Sequence, residues 1–323
     1  MFFEKQQNKI WDKNSDSCSN TCRFFIVFRN NHQKNNQIIC IDLETVSLSI
    51  LVPGQLSIRK TVERSDEMRI VDLSVPIVDG LPVDPPPQIA HIDYIDHEEG
   101  CESMLPFFPG AKKEDLPDGC AWASEYVHVT SHSGTHMDAP WHFHPTMNGG
   151  EPSWTIDQVP LEWCFGDGVM VDFYNKPDGY VCTPEDFISY FNEISYSLKP
   201  GDIVLVRTSA MDFWGTGQYL TKGCGVGREA TIWLYEQGVR VVGIDSWSWD
   251  PPLNLVGKKF AETKDPSIIW EGHKAGKDII YCQMEKVANL DKLPPVGFKV
   301  ICLPIKIQGA SAGWVRCVAL FDE

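Results

Sequence analysis

The sequence of 323 residues contains no apolar run long enough to cross a membrane. Strongly apolar stretches such as residues 24–28 are far shorter than the roughly 18 residues of a transmembrane helix. Basic residues are also scarce, since 28 Lys and Arg stand against 44 Asp and Glu and give a formal charge of −16. Nucleic acids and anionic membranes attract basic surfaces, so the sequence predicts neither of them as a partner.

Two signatures of secreted proteins are missing as well. The N-terminal residues do not have the basic-then-apolar layout of a secretory signal. The 11 cysteines are odd in number and scattered in spacing, and several lie within apolar runs, as Cys302 does. In a chain of this size they are typical of small buried side chains in a reducing compartment rather than of a disulfide framework. We therefore expect a cytoplasmic protein.

Composition divides the chain near residue 68. Residues 1–67 carry seven Asn within their first 36 positions, and we predict that they form an N-terminal extension that is mobile or lies outside the core. A folded accessory segment is the alternative, because 23–28 and 38–51 are apolar enough to pack. Residues 68–323 are predicted to form one mixed α/β domain.

Short β-branched runs bounded by Gly, Pro or Asp predict the strands of this domain. The predicted strands are 69–75, 125–131, 168–173, 202–207, 239–244, 279–284, 298–303 and 314–320. Helices are predicted to begin at the N-cap Thr183, to run over 227–237 before Gly238, and to cover 266–276. The stretch 80–120 is rich in Pro and acidic residues, which predicts long loops.

Histidine is concentrated in one place, because five of the nine histidines fall within residues 128–144. The centre of this cluster has the spacing His132-x3-His136-x-Asp138-x3-His142. Imidazole and carboxylate groups are ligands that suit Zn, Mn or Fe(II), so the spacing favours a metal site. The alternative is a set of loop and core histidines hydrogen-bonded to the backbone.

A continuous helix is not expected across this cluster. Gly134 is a poor helix former, and Pro140 biases the preceding residue away from helical geometry. We expect the cluster to lie where the strand over 125–131 ends and an irregular turn begins, which is a usual place for a functional site.

The pattern His132-x-Gly-Thr-His136-x-Asp138-x-Pro-x-His142 resembles the signature of the metal-dependent cyclase family. That family includes bacterial-type kynurenine formamidase, isatin hydrolase and trans-dienelactone hydrolase. The resemblance spans about 69–320 and includes Ile70-Val-Asp-Leu-Ser and the segment 242–251. It implies an α/β (α+β) fold of the swivelling β/β/α type, with a mixed-sheet or barrel-like core.

The resemblance also implies a ligand set. His132, His136 and Asp138 would bind a divalent metal, Zn or Mn. His273 lies twelve residues before Glu285, as in the family, and this pair would hold a second ion together with Asp138, which gives one or two ions per subunit. Taken alone, His273 and Glu285 would be interpreted as a solvated helix residue and a strand-end acid.

His142 is implied as the catalytic acid/base, with a fourth ligand or an outer hydrogen-bonding partner as its alternative. The resemblance implies a metal-dependent hydrolase of linear or cyclic amides or of lactones, similar to kynurenine formamidase (an arylformamidase), in which a metal-bound water attacks the carbonyl. It also implies a small-molecule substrate and a homo-oligomer, a dimer or larger. A cyclase or dehydratase on the same scaffold and a non-catalytic metal-binding protein remain alternatives.

The substrate is less well defined. Kynurenine formamidases of this type carry a Trp in a Pro-Val-Trp-Pro stretch that contacts the aromatic substrate, whereas the comparable stretch here has Asp84 at that position. This departure argues against formylkynurenine. Trp141 and Trp247 are candidates for an aromatic wall of the substrate pocket, and ordinary core packing is their alternative.

Two other motifs suggest different chemistry. Gly309-Ala-Ser311-Ala-Gly matches the Gly-x-Ser-x-Gly elbow of serine hydrolases, but that fold requires an Asp and a His after the Ser, and no His follows. The glycines of 223–227 resemble a phosphate loop but lack its Lys-Ser/Thr. We therefore favour the metal-dependent hydrolase.

Overall fold

In the computed structural model of the chain, the described residues are 68–321 and four strands that precede them. Contacts divide the chain into a unit of Met1–Met68 with Asp322–Glu323 and a unit of Arg69–Phe321. The described strands of the first unit form an antiparallel sheet in the order β1 (Phe25–Arg29), β2 (Ile38–Asp42), β3 (Ser47–Leu51) and β4 (Ile58–Thr61). Apart from these four strands, residues 1–67 lie outside the described residues. The prediction that this extension is mobile or lies outside the core therefore stays a prediction.

Nine strands of the second unit form one curled, mixed sheet. Four parallel neighbours lie at its centre, and antiparallel strands extend it on both sides. In their order across the sheet, the strands are β18 (Ala312–Trp314), β8 (His136–Asp138), β16 (Cys282–Glu285), β15 (Val241–Ile244), β13 (Ile203–Arg207), β11 (Phe165–Asp172), β17 (Phe298–Ile301), β19 (Val318–Phe321) and β5 (Arg69–Asp72).

Three two-stranded sheets lie beside the large one. They are β6 (His91–Ile95) with β7 (Ser124–His128), β9 (Thr146–Met147) with β10 (Glu151–Pro152), and β12 (Val181–Cys182) with β14 (Gly225–Val226). The predicted fold class, a mixed α and β domain with a mixed-sheet core, is confirmed.

The central parallel strands are buried on both faces. Along β13, Ile203 and Leu205 belong to one apolar cluster, whereas Val204 and Val206 belong to the other. Successive side chains of a strand point to opposite faces, so β11, β13 and β15 each contribute to both clusters, whereas β16 contributes Cys282 and Met284 to the first cluster only. This double burial explains why the strands were recognisable in the sequence as short, continuous apolar runs.

The helices of residues 68–321 are short. The α-helices are α1 (Cys101–Met104), α2 (Pro140–Phe143), α3 (Pro184–Glu193), α4 (Arg228–Glu236), α5 (Leu253–Thr263) and α6 (Glu271–Lys274). Single turns of 3-10 helix occur at Pro86–Gln88, Leu105–Phe107, Lys113–Asp115, Pro117–Gly119, Ile156–Gln158, Leu161–Cys164, Ala210–Phe213, Tyr219–Thr221, Pro266–Ile268, Ala275–Lys277 and Leu290–Lys292. Within the described part of the chain, no helix has the length and apolarity that a membrane span requires.

Two predicted helices are confirmed with their end signals. Thr183 precedes α3, and its backbone N–H donates to Asp186 Oδ2 at 2.9 Å, as in a capping box. α4 ends just before Gly238, whose φ of +95° suits the left-handed position that follows a helix. Both helices cover the second apolar cluster.

The third predicted helix, over 266–276, was wrong as a continuous element. Trp270 adopts a φ of +56°, which interrupts the helix between a 3-10 turn and α6. The carboxylate of Asp250 accepts the backbone N–H groups of Gly272 and His273, so a partner distant in sequence fixes the start of α6. The helix α5 was not predicted, although Pro252 marks its N-cap.

The strand predictions were correct in position but not always in extent. The strand expected over 125–131 ends at His128, and the one expected over 314–320 is divided into β18 and β19. The stretch 80–120 contains the strand β6 and several short helical turns rather than loops alone.

The buried face of α3 gives a test of the fold. Phe187 is fully buried against Phe173 and Phe191, whereas the next residue, Ile188, is exposed. We expect Phe187→Ala to lower the free energy of unfolding in denaturant by about 3–5 kcal/mol, because it removes a packed ring and leaves a cavity. Ile188→Ala, the control, should change it by less than about 0.5 kcal/mol. Equal effects of the two substitutions would contradict the orientation of α3.

Candidate metal centre

The register between β8 and β16 assembles the centre of the candidate site. The two strands are antiparallel, and Glu285 pairs with His136 while Gln283 pairs with Asp138. Residues two apart on a strand share a face, so these four side chains lie on one face of the sheet. The residues between them, including Met137, face the apolar cluster on the opposite side. The spacing of two residues between His136 and Asp138 therefore matches the two-residue repeat of a β-strand.

The loop before β8 brings His132 to the same place. Gly134 has a φ of +61°, and a Cβ there would lie 2.9 Å from Ile77 Cγ1, so this turn requires glycine. His132 Nδ1 lies 2.8 Å from Asp138 Oδ1. The side chain of His132 keeps 25% of its surface exposed, while those of His136 and Asp138 are fully buried.

The short helix α2 positions His142. Pro140 occupies its first turn, and the extended Ala139, which follows β8, is its N-cap. His142 Nε2 lies 3.9 Å from Asp138 Oδ2, and its ring centre is 4.2 Å from that of His132. The side chain of His142 is 27% exposed, so this imidazole lies between the buried ligands and the surface.

His273 lies on α6 and contacts the second carboxylate oxygen of Asp138. Its Nδ1 lies within hydrogen-bond distance of Asp250 Oδ2, and its Nε2 faces the cluster, where the amide Nε2 of Gln283 lies 2.6 Å away. His273 Nε2 lies 3.8 Å from Asp138 Oδ2 and 3.4 Å from Glu285 Oε1. Trp270 stacks on the ring of His273, with centres 4.3 Å apart.

The buried polar atoms of this cluster test whether a cation fits. His136 Nδ1–H donates to Gly134 O at 3.0 Å, which leaves Nε2 as an acceptor. Within the described residues, His136 Nε2 and Asp138 Oδ1 are buried and take part in no hydrogen bond of suitable geometry, although His132 Nδ1 lies 2.8 Å from Asp138 Oδ1. Buried acceptors of this kind are costly unless something satisfies them, and a divalent cation bound by imidazole and carboxylate does so. The residues therefore fit a divalent metal.

The donor atoms form two overlapping groups. Those of His132, His136 and Asp138 lie within 4.8 Å of one another, and the same is true of Asp138, His142 and His273. Glu285 borders both groups, with Oε2 3.6 Å from His136 Nε2. The structure thus brings together all six residues that the sequence predicted for the centre.

Comparison with known proteins places the chain in a family. The model of the Cyclase family (“Putative cyclase”) matches residues 71–251, a range that includes the whole histidine motif and ends before His273. The chain belongs to the Cyclase family. Among curated relatives, a kynurenine formamidase of Bordetella petrii is 27% identical over 225 residues, which are 66% of this chain and 90% of that protein.

Two further matches agree with this assignment. “Cyclase-like protein 3” of Oryza sativa subsp. japonica is 25% identical over 199 residues, which are 60% of this chain and 64% of that protein. The crystal structure of an isatin hydrolase bound to the product analogue thioisatinate has a TM-score of 0.61 at 19% identity, covering 80% of this chain and 94% of that one. At this identity the structural match shows that the fold is shared.

Electrostatics in the centre favours a charged Asp138 carboxylate and distinguishes the histidines. Burial opposes the charged forms of His132 and His273, but the neighbouring carboxylates raise the pKa of His132 and raise that of His273 to about 10. Burial disfavours the charged form of Asp138, but the imidazoles of His142, His136 and His132 hold its pKa well below its usual value. Burial also lowers the pKa of His142 to about 4, against the opposing effect of Asp138. At neutral pH this arrangement gives Asp138 a negative charge and keeps His142 able to accept a proton.

Three residues of the centre were missed in the sequence. Gln283 Nε2 donates to Asp138 Oδ2 at 3.2 Å and to Glu285 Oε1 at 3.1 Å. Gln283 could have been found from its position two residues before Glu285, because residues two apart on a strand share a face. Asp250 and Trp270 had no local signal, since their contacts with His273 depend on the tertiary fold.

The two predicted substrate-contacting tryptophans have different surroundings. Trp141 lies on α2 beside His142 and is 46% exposed, so its predicted contact with substrate stays a prediction. Trp247 packs in an apolar cluster with Tyr219, and its Nε1–H donates to Asp84 at 2.9 Å. Trp247 is partly buried, and its predicted contact with substrate also stays a prediction.

The serine of the Gly-x-Ser-x-Gly pattern lies beside the metal motif. Ser311 Oγ is 3.0 Å from His132 Nε2. Ser311 immediately precedes β18 and not a helix, so it does not lie on the strand-to-helix elbow of serine hydrolases. Its hydroxyl fixes the orientation of His132.

Asp250 provides a test of how His273 is oriented. We expect Asp250→Asn to weaken binding of Zn²⁺ by about 10- to 100-fold, because the amide cannot replace both carboxylate contacts with the His273 backbone and ring. Glu271→Gln, the same chemical change two residues before His273, should leave the affinity unchanged. Competition with a chromogenic chelator measures both, and equal affinities of the two variants would contradict the assigned role of Asp250.

Proposed function

We propose that the chain is a metal-dependent hydrolase that cleaves an amide or a lactone of a small, cyclic or aryl-bearing substrate. The family relationship and the relative named kynurenine formamidase support hydrolysis of a C–N bond. The observation that carries the proposal is the pair of unsatisfied buried acceptors, His136 Nε2 and Asp138 Oδ1, beside the partly exposed His142.

His132, His136 and Asp138 would hold the ion, and His273 and Glu285 would hold a second one with Asp138. A divalent ion bound there supplies Lewis-acid chemistry, polarising a carbonyl and making water more acidic. Imidazole and carboxylate donors suit Zn²⁺ or Mn²⁺. The separation of the donor atoms into two overlapping groups supports a capacity of one or two ions.

His142 would move the proton. Its Nε2 accepts a proton from the water that attacks the carbonyl carbon, and it then delivers that proton to the leaving nitrogen or oxygen as the acyl bond breaks. Trp270 contacts the ring of His142 edge-on at 5.3 Å and restricts its orientation. Trp141, exposed beside it, would border the substrate.

We also propose a homo-oligomer in the cytoplasm whose partner is a small molecule and neither nucleic acid nor a membrane. The eight cysteines of residues 68–321 are free thiols, which supports a reducing compartment. The formal charge of −16 disfavours nucleic acid and anionic lipid.

The proposal is tested by metal analysis and a substrate panel. The protein, stripped with chelator and reloaded with Zn²⁺ or Mn²⁺, is incubated with N-formylaniline, isatin and an aryl lactone. We expect metal-dependent turnover of one of them. Isatin or the lactone would give one ring-opened product heavier than the substrate by one water, whereas N-formylaniline would give aniline and formate, whose masses add up to that of the substrate plus one water. A product of unchanged mass, or of mass lowered by one water, would instead indicate a cyclase or dehydratase. No metal-dependent reaction with any of the three would contradict the proposal.

Substitutions separate the ligands from the acid/base. His136→Ala should lose bound metal and turnover together, because it removes a buried ligand. His142→Ala should retain metal and lose about 10²- to 10⁴-fold in kcat. His144→Ala is the control, since its ring bonds to Thr146 outside the centre, and it should retain both. Loss of metal from the His142 variant would show that His142 is a ligand instead.

A serine nucleophile is tested through Ser311. Ser311→Ala should weaken metal binding or turnover by about 10- to 100-fold, because His132 loses its hydrogen-bond partner. Excess metal should restore most of the lost turnover. Turnover that stays abolished in saturating metal, or an acyl adduct on wild-type Ser311 seen by mass spectrometry, would contradict the metal-dependent route.

A further inference from the structure

A lysine lies buried directly beside the candidate metal centre. Lys286 follows Glu285 at the end of β16, and only 2% of its side chain is exposed. Lysine is almost never fully buried unless its ammonium group is paired. The burial of Lys286 therefore requires a structural or functional reason.

The ammonium group of Lys286 joins segments that are distant in sequence. Lys286 Nζ donates to Asp84 Oδ1 and, at 3.0 Å, to the backbone carbonyl of His132. Asp84 is itself buried and accepts Trp247 Nε1–H at 2.9 Å. One cation thus connects the loop around Asp84 with the loop that presents His132.

The backbone of Lys286 is fixed without its side chain. Its N–H donates to Ser246 O at 3.0 Å, and its carbonyl accepts Thr135 Oγ1–H at 2.7 Å. Thr135 Oγ1 also accepts the N–H of Val75. The side chain of Lys286 is therefore not needed to hold the end of β16, and its contact with His132 O is a separate interaction.

Stability alone does not account for this pair. Two charges lose their hydration on burial, and hydrophobic replacements of buried ion pairs are often neutral or stabilising. Besides pairing with Asp84, the ammonium group of Lys286 donates a hydrogen bond to the backbone carbonyl of His132. Among the three predicted ligands of the motif, His132 is the most exposed and lies in a loop, not on β8.

We propose that Lys286 is a positioning residue, which, paired with Asp84, holds the His132 loop so that the imidazole of His132 meets the metal. The inference rests on the proposed metal centre and concerns residues that lie outside its ligand set. It also gives a role to the buried Asp84, which together with Lys286 anchors a ligand loop.

The test measures metal affinity and stability separately, because removing Lys286 alone leaves Asp84 buried and unpaired. The variants are Lys286→Met and the double variant Asp84→Asn/Lys286→Met, in which no charge is left without a partner. Affinity for Zn²⁺ is measured by competition with a chelator, and thermal unfolding is measured on the chelator-stripped protein. Lys286→Arg tests rescue by another cation, and Lys176→Met removes a distant ion pair with Asp186 as the control.

We expect the double variant to unfold near the wild-type temperature and to bind Zn²⁺ about 10- to 100-fold more weakly. The single variant Lys286→Met should lose both stability and affinity, Lys286→Arg should recover part of the affinity, and Lys176→Met should bind Zn²⁺ as the wild type does. A double variant with wild-type affinity would overturn the positioning role while leaving the metal centre intact. A wild-type protein that binds no Zn²⁺ or Mn²⁺ would overturn the proposed function, and the positioning role with it.

Discussion

The constraint on which the site depends is the burial of Asp138 without a complete set of hydrogen-bond partners. Its carboxylate is fully buried among imidazoles, and Oδ1 accepts no hydrogen bond of suitable geometry. An unsatisfied buried anion destabilises a fold unless a cation or donors compensate for it. The strand pairing that aligns Asp138 with Gln283, and His136 with Glu285, makes this burial unavoidable. A bound cation resolves the cost and supplies reactivity in the same place.

Much of this could be predicted from local sequence. The parallel strands were readable because burial on both faces imposes continuous apolar runs, and α3 because Thr183 and Asp186 form a capping box. The spacing of His136 and Asp138 indicated shared ligation before the strand was known. The glycine at 134 also indicated a turn, and its positive φ explains that requirement.

The remainder depends on contacts between distant segments. The break at Trp270 was not predictable, because the start of α6 is fixed by Asp250, which lies 22 residues before its partner Gly272. Likewise, nothing in the sequence around Lys286 indicates that it pairs with Asp84, because the two residues lie 202 positions apart in the chain. Local propensity describes the elements, whereas the hydrogen bonds that orient the ligands arise only when the sheet is assembled.

X-ray absorption spectroscopy of the Zn²⁺-loaded protein tests the central claim most directly, because it reports the atoms bound to the ion whatever the substrate is. The account predicts imidazole scattering from at least two histidines, with Zn–N distances of about 2.0–2.1 Å, and loss of that signal in the His136→Ala variant. A spectrum with oxygen ligands alone, or one unchanged by this substitution, would contradict it.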